Sequence, residues 1–298
     1  MTNRFKIIAM KYSVRILSSI LLFVSSVFTS YAQNKAPKSL LWEVSGKNIS
    51  APSYLYGTFH LICPDDLQVS NVITDKLDAS KKLFLEMDMD DPSVMQKVQM
   101  GMLLKDTSWK SLLTETEYNA LADSFKQITK MPVDMFTRIK PFGVLSFVMM
   151  GMMNCQLASW DLTLAEKAKQ KHIEVKGLET PERELEALET LSLQEQTDML
   201  KEMLGNPDST RKSIQEMVRI YRDKDLTALE KVMTGDKHFG SMETELLIKR
   251  NNEWVPVIEK QLQTEPTFFA FGAGHLGGEN GIINLLKKKG YKVKAIVY

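Results

Sequence analysis

Phe268-Phe269-Ala270-Phe271-Gly272-Ala273-Gly274-His275-Leu276-Gly277-Gly278 opens with four apolar residues and then breaks into glycine. A short apolar run closed by glycine reads as a buried strand running into a tight loop. Helix-spaced Ile282, Ile283, Leu285 and Leu286 follow, and then an extended run from Tyr291 to Val297. The order strand, loop, helix, strand recurs upstream. Val72, Leu77 and Ala79 form a short helical pattern before the apolar run Leu83-Phe84-Leu85, and a helix capped by Ser159 precedes the alternating run Ile173 to Leu178. Leu40-Leu41-Trp42-Glu43-Val44 and Ser53-Tyr54-Leu55-Tyr56 flank a turn at Gly46, Lys47 and Asn48, which is a hairpin signal. Strands alternating with helices predict an α/β fold: a mostly parallel or mixed central sheet flanked by helices, with an N-terminal hairpin.

Two stretches interrupt the alternation. Residues 92–170 and 182–263 read as helical insertions, broken at Met131-Pro132, at Gly205-Asn206-Pro207 and around Gly235. Phe142 to Met153 is nearly continuous in apolar residues, four of them Met, and reads as a buried helix. A copper-binding stripe is the other reading of such Met spacing, but no His accompanies it, and thioethers fill irregular apolar space well. Thr180-Pro181 marks a helix start directly behind the strand that Glu179 closes.

The composition is that of an ordinary globular protein: 298 residues, 44% hydrophobic, 25% charged, 38 Lys+Arg against 37 Asp+Glu. Disorder, collagen and coiled coil are excluded. Residues 1–32 carry Arg4, Lys6, Lys11 and Arg15 and no acid, then an apolar core from Ile16 to Phe28, then Ser30-Tyr31-Ala32. Basic flank, short apolar core and small residues before a cleavage point predict a signal peptide cut after Ala32. The apolar part is shorter than the roughly 20 residues of a membrane span, so no stable membrane insertion is expected after cleavage. A single domain over 33–298 remains, exported to a periplasm or the extracellular space. It is mildly acidic, and a surface of that kind offers no footprint for nucleic acid. Export lets Cys63 and Cys155 meet an oxidising compartment, where a disulfide closing a long loop competes with two buried thiols. Pairing requires their Cα atoms to lie within about 7 Å.

His60, Glu86, Glu179 and His275 each fall at or just past the carboxyl end of a predicted strand. Ligands of open α/β sheets bind outside those ends, so four metal-capable or acid-base residues converge on one rim. Gly57-Thr58-Phe59-His60 and Gly272-Ala273-Gly274-His275 each put an imidazole after a glycine-bearing turn. Two imidazoles and a carboxylate leave open positions on a divalent ion, which can then activate water. Taken singly, each residue also has a structural reading: a surface or hydrogen-bonded histidine for His60 and His275, a solvated turn for Glu86 at the head of Glu86, Asp88, Asp90 and Asp91, a helix-dipole partner for Glu179. His172 and His238 sit among charged helical residues and read as solvated. Gly272, Gly274 and Gly277 match a dinucleotide-loop spacing, but the rest of such a fold does not follow them, and no P-loop, GxSxG or HExxH occurs.

Tyr54 to His60, Leu85-Glu86-Met87-Asp88, Gly177-Leu178-Glu179-Thr180, Arg250-Asn251 and the terminal Gly272 to Gly278 together resemble the TraB/PrgY/GumN family, over about Leu40 to Tyr298. The resemblance extends to the Tiki metalloproteases and, more distantly, to erythromycin-esterase-like and haem-binding ChaN-like proteins. It implies paired GxxH motifs at Gly57 to His60 and Gly272 to His275, an early glutamate at Glu86, and an Arg-Asn pair at Arg250 and Asn251. The expectation is a divalent-metal-dependent hydrolase, a Tiki-like peptidase with a peptide or protein substrate. His60, His275 and Glu86 would hold a cation of the manganese, cobalt or zinc type. Glu86 or Glu179 would act as base, and Arg250, beside Asn251, as oxyanion stabiliser. The alternative is a non-catalytic protein holding a peptide or haem-like ligand in a Met-rich groove.

Overall fold

The computed structural model describes residues 37–235, 240 and 242–298; the expected signal peptide and His238 lie outside them. Six strands form one mixed sheet: β1 (Leu41–Ser45), β2 (Ser53–Thr58), β3 (Lys82–Leu85), β4 (Glu174–Gly177), β5 (Thr267–Gly272) and β6 (Lys292–Ala295), in the order β4-β3-β5-β2-β1-β6. β4, β3, β5 and β2 are mutually parallel, whereas β1 runs against both β2 and β6. The β1–β2 pair is the expected hairpin, turning through Gly46, Lys47 and Asn48 at positive φ.

Side chains alternate across the pleat, and the two faces bury different sets. Tyr54, Tyr56, Leu83, Leu85, Phe268 and Ala270 pack on one side with Ile73, Trp160, Leu164 and Tyr221. Leu55, Phe84, Phe269 and Phe271 pack on the other with Trp254, Ile258, Ile282 and Leu286. β2 is buried at every position, as expected for a strand inside a sheet covered on both faces. The strongly apolar runs that mark the strands in sequence follow from this double burial.

The insertions are helical. Between β3 and β4 lie helices Pro92–Gly101, Trp109–Leu112, Glu115–Thr129, Leu145–Met153 and Trp160–Gln170. Between β4 and β5 lie Pro181–Leu188, Leu193–Gly205, Pro207–Arg222, Leu226–Gly235 and, after a π-helical stretch at Thr244–Lys249, Arg250–Leu262. Trp109, Phe125, Phe136, Val148, Met152 and Leu200 make a third core within these helices.

The Met-rich helix differs from the expectation of full burial. It begins at Leu145 after a short 3-10 turn, and only Val148 and Met152 along it are buried. Its remaining face borders an open groove of about 900 Å³, lined by Phe147, Met150, Ile128 and Met131.

Cys63 and Cys155 form a disulfide with Cα atoms 5.9 Å apart, across 92 residues of chain. In the chain-entropy account, closing such a loop stabilises the fold by about 4 to 5 kcal/mol. Among the described residues no helix is long and apolar enough to cross a membrane.

Candidate metal centre

Each parallel strand delivers one polar side chain to the same rim. Glu86 follows β3 directly, Glu179 lies two residues past β4, His60 two past β2, and His275 ends a single 3-10 turn after β5. Hydrogen-bonded pairing of β3 and β2 with β5 brings these ends together. Glu86 Oε1 lies 3.4 Å from His60 Nε2 and 4.0 Å from His275 Nε2.

Both imidazoles are oriented by what their other nitrogen meets. Asn251 Nδ2 donates to the Asn280 carbonyl at 2.8 Å, which turns Oδ1 toward His275 Nδ1 at 2.7 Å. His275 Nδ1–H is therefore the donor, and Nε2 keeps its lone pair on the Glu86 side. Burial drives the His275 pKa down to about 3; Glu86 works against this and Arg250 and His60 with it. The ring is neutral, wedged against Trp254 at a centroid distance of 4.4 Å. His60 Nδ1 contacts Asp161 Oδ2 at 3.0 Å, and a carboxylate there can only accept. Crowding at the rim opposes a charge on His60, but Glu86 and Asp161 outweigh it and hold its pKa well above the usual value. The His60 side chain is 56% exposed, so the cluster is open to solvent at this histidine.

Gly272 makes the space between them. A Cβ at this position would lie 3.1 Å from His60 Nε2, 3.3 Å from Glu86 Oε1 and 3.7 Å from His275 Cδ2, so a side chain would occupy the point on which all three converge. Its backbone N–H also donates to Glu86 Oε1 at 2.6 Å. Gly57 has a different cause, since a Cβ there would come within 2.6 Å of Leu276 Cδ1 and 3.0 Å of Ala273. The loop that carries His275 can sit against β2 only because that side chain is missing.

Behind Glu86 stands a buried ion-pair network. Arg250 donates through Nη2 to Glu86 Oε2 and to Glu179 Oε1, both at 2.6 Å, through Nε to Glu179, and through Nη1 to the Leu246 carbonyl at 3.1 Å. Its guanidinium carbon lies 4.8 Å from the Trp254 ring centroid, and Trp254 Nε1 donates to Glu179 Oε2. Burial alone would raise the Glu86 carboxyl, yet His60 and Arg250 overcome it and keep Glu86 ionised, well below the ordinary carboxylate range. Glu184, one turn into the helix capped by Thr180, joins this group. Its Oε2 is buried without a hydrogen-bond partner, and burial followed by repulsion from Glu86 pushes its pKa up to about 7.

Two donor sets are thus available to a cation. Oxygens of Glu86, Glu179 and Glu184 lie within 4.8 Å of one another, but the Arg250 guanidinium already bonds to both Glu86 and Glu179. An ion among the three carboxylates would have to displace it. On the opposite side of Glu86, the Nε2 lone pair of neutral His275, one carboxylate oxygen and His60 Nε2, which becomes a donor once it gives up its proton, lie about the gap at Gly272, and nitrogen and oxygen donors of this kind suit a divalent transition ion. The residues fit such an ion.

Sequence reasoning named His60, Glu86, Glu179, Arg250, Asn251 and His275, and all six lie in this cluster. It assigned Arg250 to oxyanion stabilisation; in the structure Arg250 is 5% exposed, and four of its five N–H donors are taken up by two carboxylates and a carbonyl. Asp161 and Glu184 were missed. Asp161 reads in sequence as an ordinary first-turn acid behind the Ser159 cap, and Glu184 as one of several glutamates in an amphipathic helix.

Fold and rim geometry together define an α/β protein with a candidate divalent-metal centre at the carboxyl edge of its sheet. The chain belongs to the TraB/PrgY/gumN family, whose sequence profile matches residues 40–295. Among curated proteins it is 23% identical to metalloprotease TIKI2 of Danio rerio, with 87% of this chain and 61% of the relative covered, and 23% identical to human metalloprotease TIKI1, with 88% and 63% covered. The metalloprotease TIKI homologue of Amphimedon queenslandica is 22% identical over 94% of this chain and 66% of its own length. The chain thus spans about three fifths of the length of the vertebrate relatives. No solved structure matches it.

Proposed function

We propose that the protein is an exported divalent-metal-dependent hydrolase that cleaves peptide bonds. The observation that carries this reading is the approach of His60 Nε2 and His275 Nε2 to Glu86 Oε1, at 3.4 and 4.0 Å, beside the space that Gly272 leaves open. The names of the Tiki relatives support the same chemistry. His60, His275 and Glu86 would hold the ion, of the manganese, cobalt or zinc type. When bound, such an ion supplies Lewis-acid polarisation of a carbonyl and lowers the pKa of a water.

The chain's own groups do the rest. Asn251 and Asp161 fix the direction of the two imidazoles, the outer support that metal-binding histidines generally require. Arg250 neutralises Glu86 Oε2 and fixes its rotamer, which leaves Oε1 for the open side. Glu184, with a pKa near neutrality, is the group at the cluster best matched to receiving and returning a proton at working pH. A proton and a cation compete for His60 Nε2, so loading releases a proton from this ring. Export rests on the basic, then apolar, then small-residue order of residues 1–32.

The test combines metal analysis with cleavage of a peptide library by the purified protein. Wild type is expected to retain about one divalent ion per chain and to cut, and His60→Ala and His275→Ala to lose both properties while staying folded. Cleavage that persists in a chelated sample, or in both variants, contradicts the reading.

A further inference from the structure

The loop after β2 carries His60, and the loop before helix Trp160–Gln170 leads into Asp161. Two fasteners join these loops. Ile62 N–H donates to the Ala158 carbonyl at 2.9 Å, and Ala158 N–H donates back to Ile62 at 2.7 Å. Beside that bridge, Cys63 is bonded to Cys155. The bridge lies two residues from His60 and three from Asp161; the disulfide lies three residues from His60 and six from Asp161. Both fasteners therefore span the two segments whose relative position sets the 3.0 Å contact of His60 Nδ1 with Asp161 Oδ2.

We infer that the Cys63–Cys155 disulfide is a redox-responsive tether of the candidate metal centre, with Asp161 as the positioning residue through which it acts. The inference rests on the metal-site reading above. His60 is the ligand whose orientation is easiest to lose: it is 56% exposed, whereas His275 is buried and wedged against Trp254. The sulfurs are within reach of a reductant, because both cysteines are only partly buried and Cys155 lines the 900 Å³ groove. Reduction by a dithiol passes two electrons and two protons to the S–S bond. Cys63 and Cys155 become thiols, and the reductant becomes its own disulfide. The His60 loop then keeps only the backbone bridge, Asp161 loses its fixed place beside Nδ1, and the site holds its ion less tightly. Loss of an oriented outer-shell partner lowers metal affinity about 10- to 100-fold in comparable sites.

The experiment titrates cobalt(II) into the full-length mature protein by calorimetry, oxidised and after reduction by a trialkylphosphine removed anaerobically before the titration. The phosphine takes up a water oxygen as it reduces the bond and adds no chelating thiol of its own, and Cys63→Ala/Cys155→Val, titrated beside the reduced protein, shows what the two freed cysteine thiols contribute. Far-UV circular dichroism verifies that the reduced protein is folded, and amide exchange at Ile62 and Ala158 reports on the tether without any metal. Reduction is expected to weaken cobalt binding by tenfold or more in wild type and to speed exchange at both amides. In Asp161→Asn, which keeps the disulfide, binding should already be weaker and reduction should change it little. A general loss of stability would instead weaken both proteins alike. Equal affinity in the oxidised and reduced wild type overturns the tether while leaving the metal site standing. Absence of cobalt binding even in the oxidised protein overturns the metal site and the tether with it. If reduction unfolds the protein, Cys63→Ala/Cys155→Val titrated below its melting temperature replaces the reduced sample, under the same criteria.

Discussion

Asn251 Oδ1 accepts a hydrogen bond from His275 Nδ1 at 2.7 Å, and the Asn251 amide is itself locked by donation to the Asn280 carbonyl. One buried amide thereby decides which nitrogen of His275 carries the proton and leaves Nε2 for the rim. Asn251→Ala removes the lock. It is expected to weaken divalent-metal binding 10- to 100-fold and to cost about 1 to 3 kcal/mol of stability through the unpaired groups left behind. Calorimetric metal titration and urea unfolding measure the two effects. Unaltered affinity in the folded variant would show that the His275 tautomer is set by something else.

Gly272→Ala puts a methyl group where His60 Nε2, Glu86 Oε1 and His275 come together. The backbone there has negative φ, so the substitution is compatible with the strand end, and the effect falls on the site rather than on the fold. Metal affinity should drop by at least tenfold with the melting temperature changed by only a few degrees. A variant that binds cobalt like wild type would mean that the ion does not enter this gap.

Arg250→Met leaves Glu86 and Glu179 buried beside each other without their shared cation. Breaking a buried ion pair from one side typically costs about 3 to 5 kcal/mol, and the side chains of Arg250, Glu86 and Glu179 are all at least 94% buried. Denaturant unfolding should show a loss of that order. Glu86→Gln combined with Arg250→Met should recover part of it, and no recovery would deny the direct coupling of the two residues.

Away from the site, Glu117 closes the capping box of helix Glu115–Thr129 and pairs with Lys201. The Lys201 contact and the hydrogen bonds from Thr114 lower its pKa from 4.5 to about 2. A depressed carboxylate contributes stability that is complete above its unfolded pKa and is lost as pH falls through the folded one. The melting temperature of Glu117→Gln should therefore lie below that of wild type at pH 7, with the gap closing between about pH 4.5 and pH 2. A gap independent of pH would assign the effect to packing.

The sheet was legible because its inner strands are buried on both faces: Leu83-Phe84-Leu85 and Phe268-Phe269-Ala270-Phe271 are short apolar runs of the kind internal strands need. Strand ends then located His60, Glu86, Glu179 and His275 on one rim, since parallel strands share a carboxyl edge. Asp161 was not legible, because its partner His60 lies 101 residues away and an acid in the first turn of a helix needs no partner to explain it. Glu184 was hidden in the same way, among the charged residues of a helix whose direction only the fold reveals. The ion pairs of Arg250 were hidden for a related reason: sequence gives the guanidinium but not the two carboxylates that engage most of its donors. The Met-rich helix was expected to be buried because its residues are apolar on every side, whereas part of its surface borders the groove beside Cys155.

The most direct test is anomalous diffraction from crystals soaked in cobalt(II) or zinc(II). A single anomalous peak is expected about 2.0 to 2.2 Å from His60 Nε2, His275 Nε2 and a Glu86 oxygen, with Arg250 still bonded to Glu86 and Glu179. A peak among Glu86, Glu179 and Glu184 with Arg250 displaced, or no peak at this rim in crystals that bind the ion elsewhere, would contradict the account.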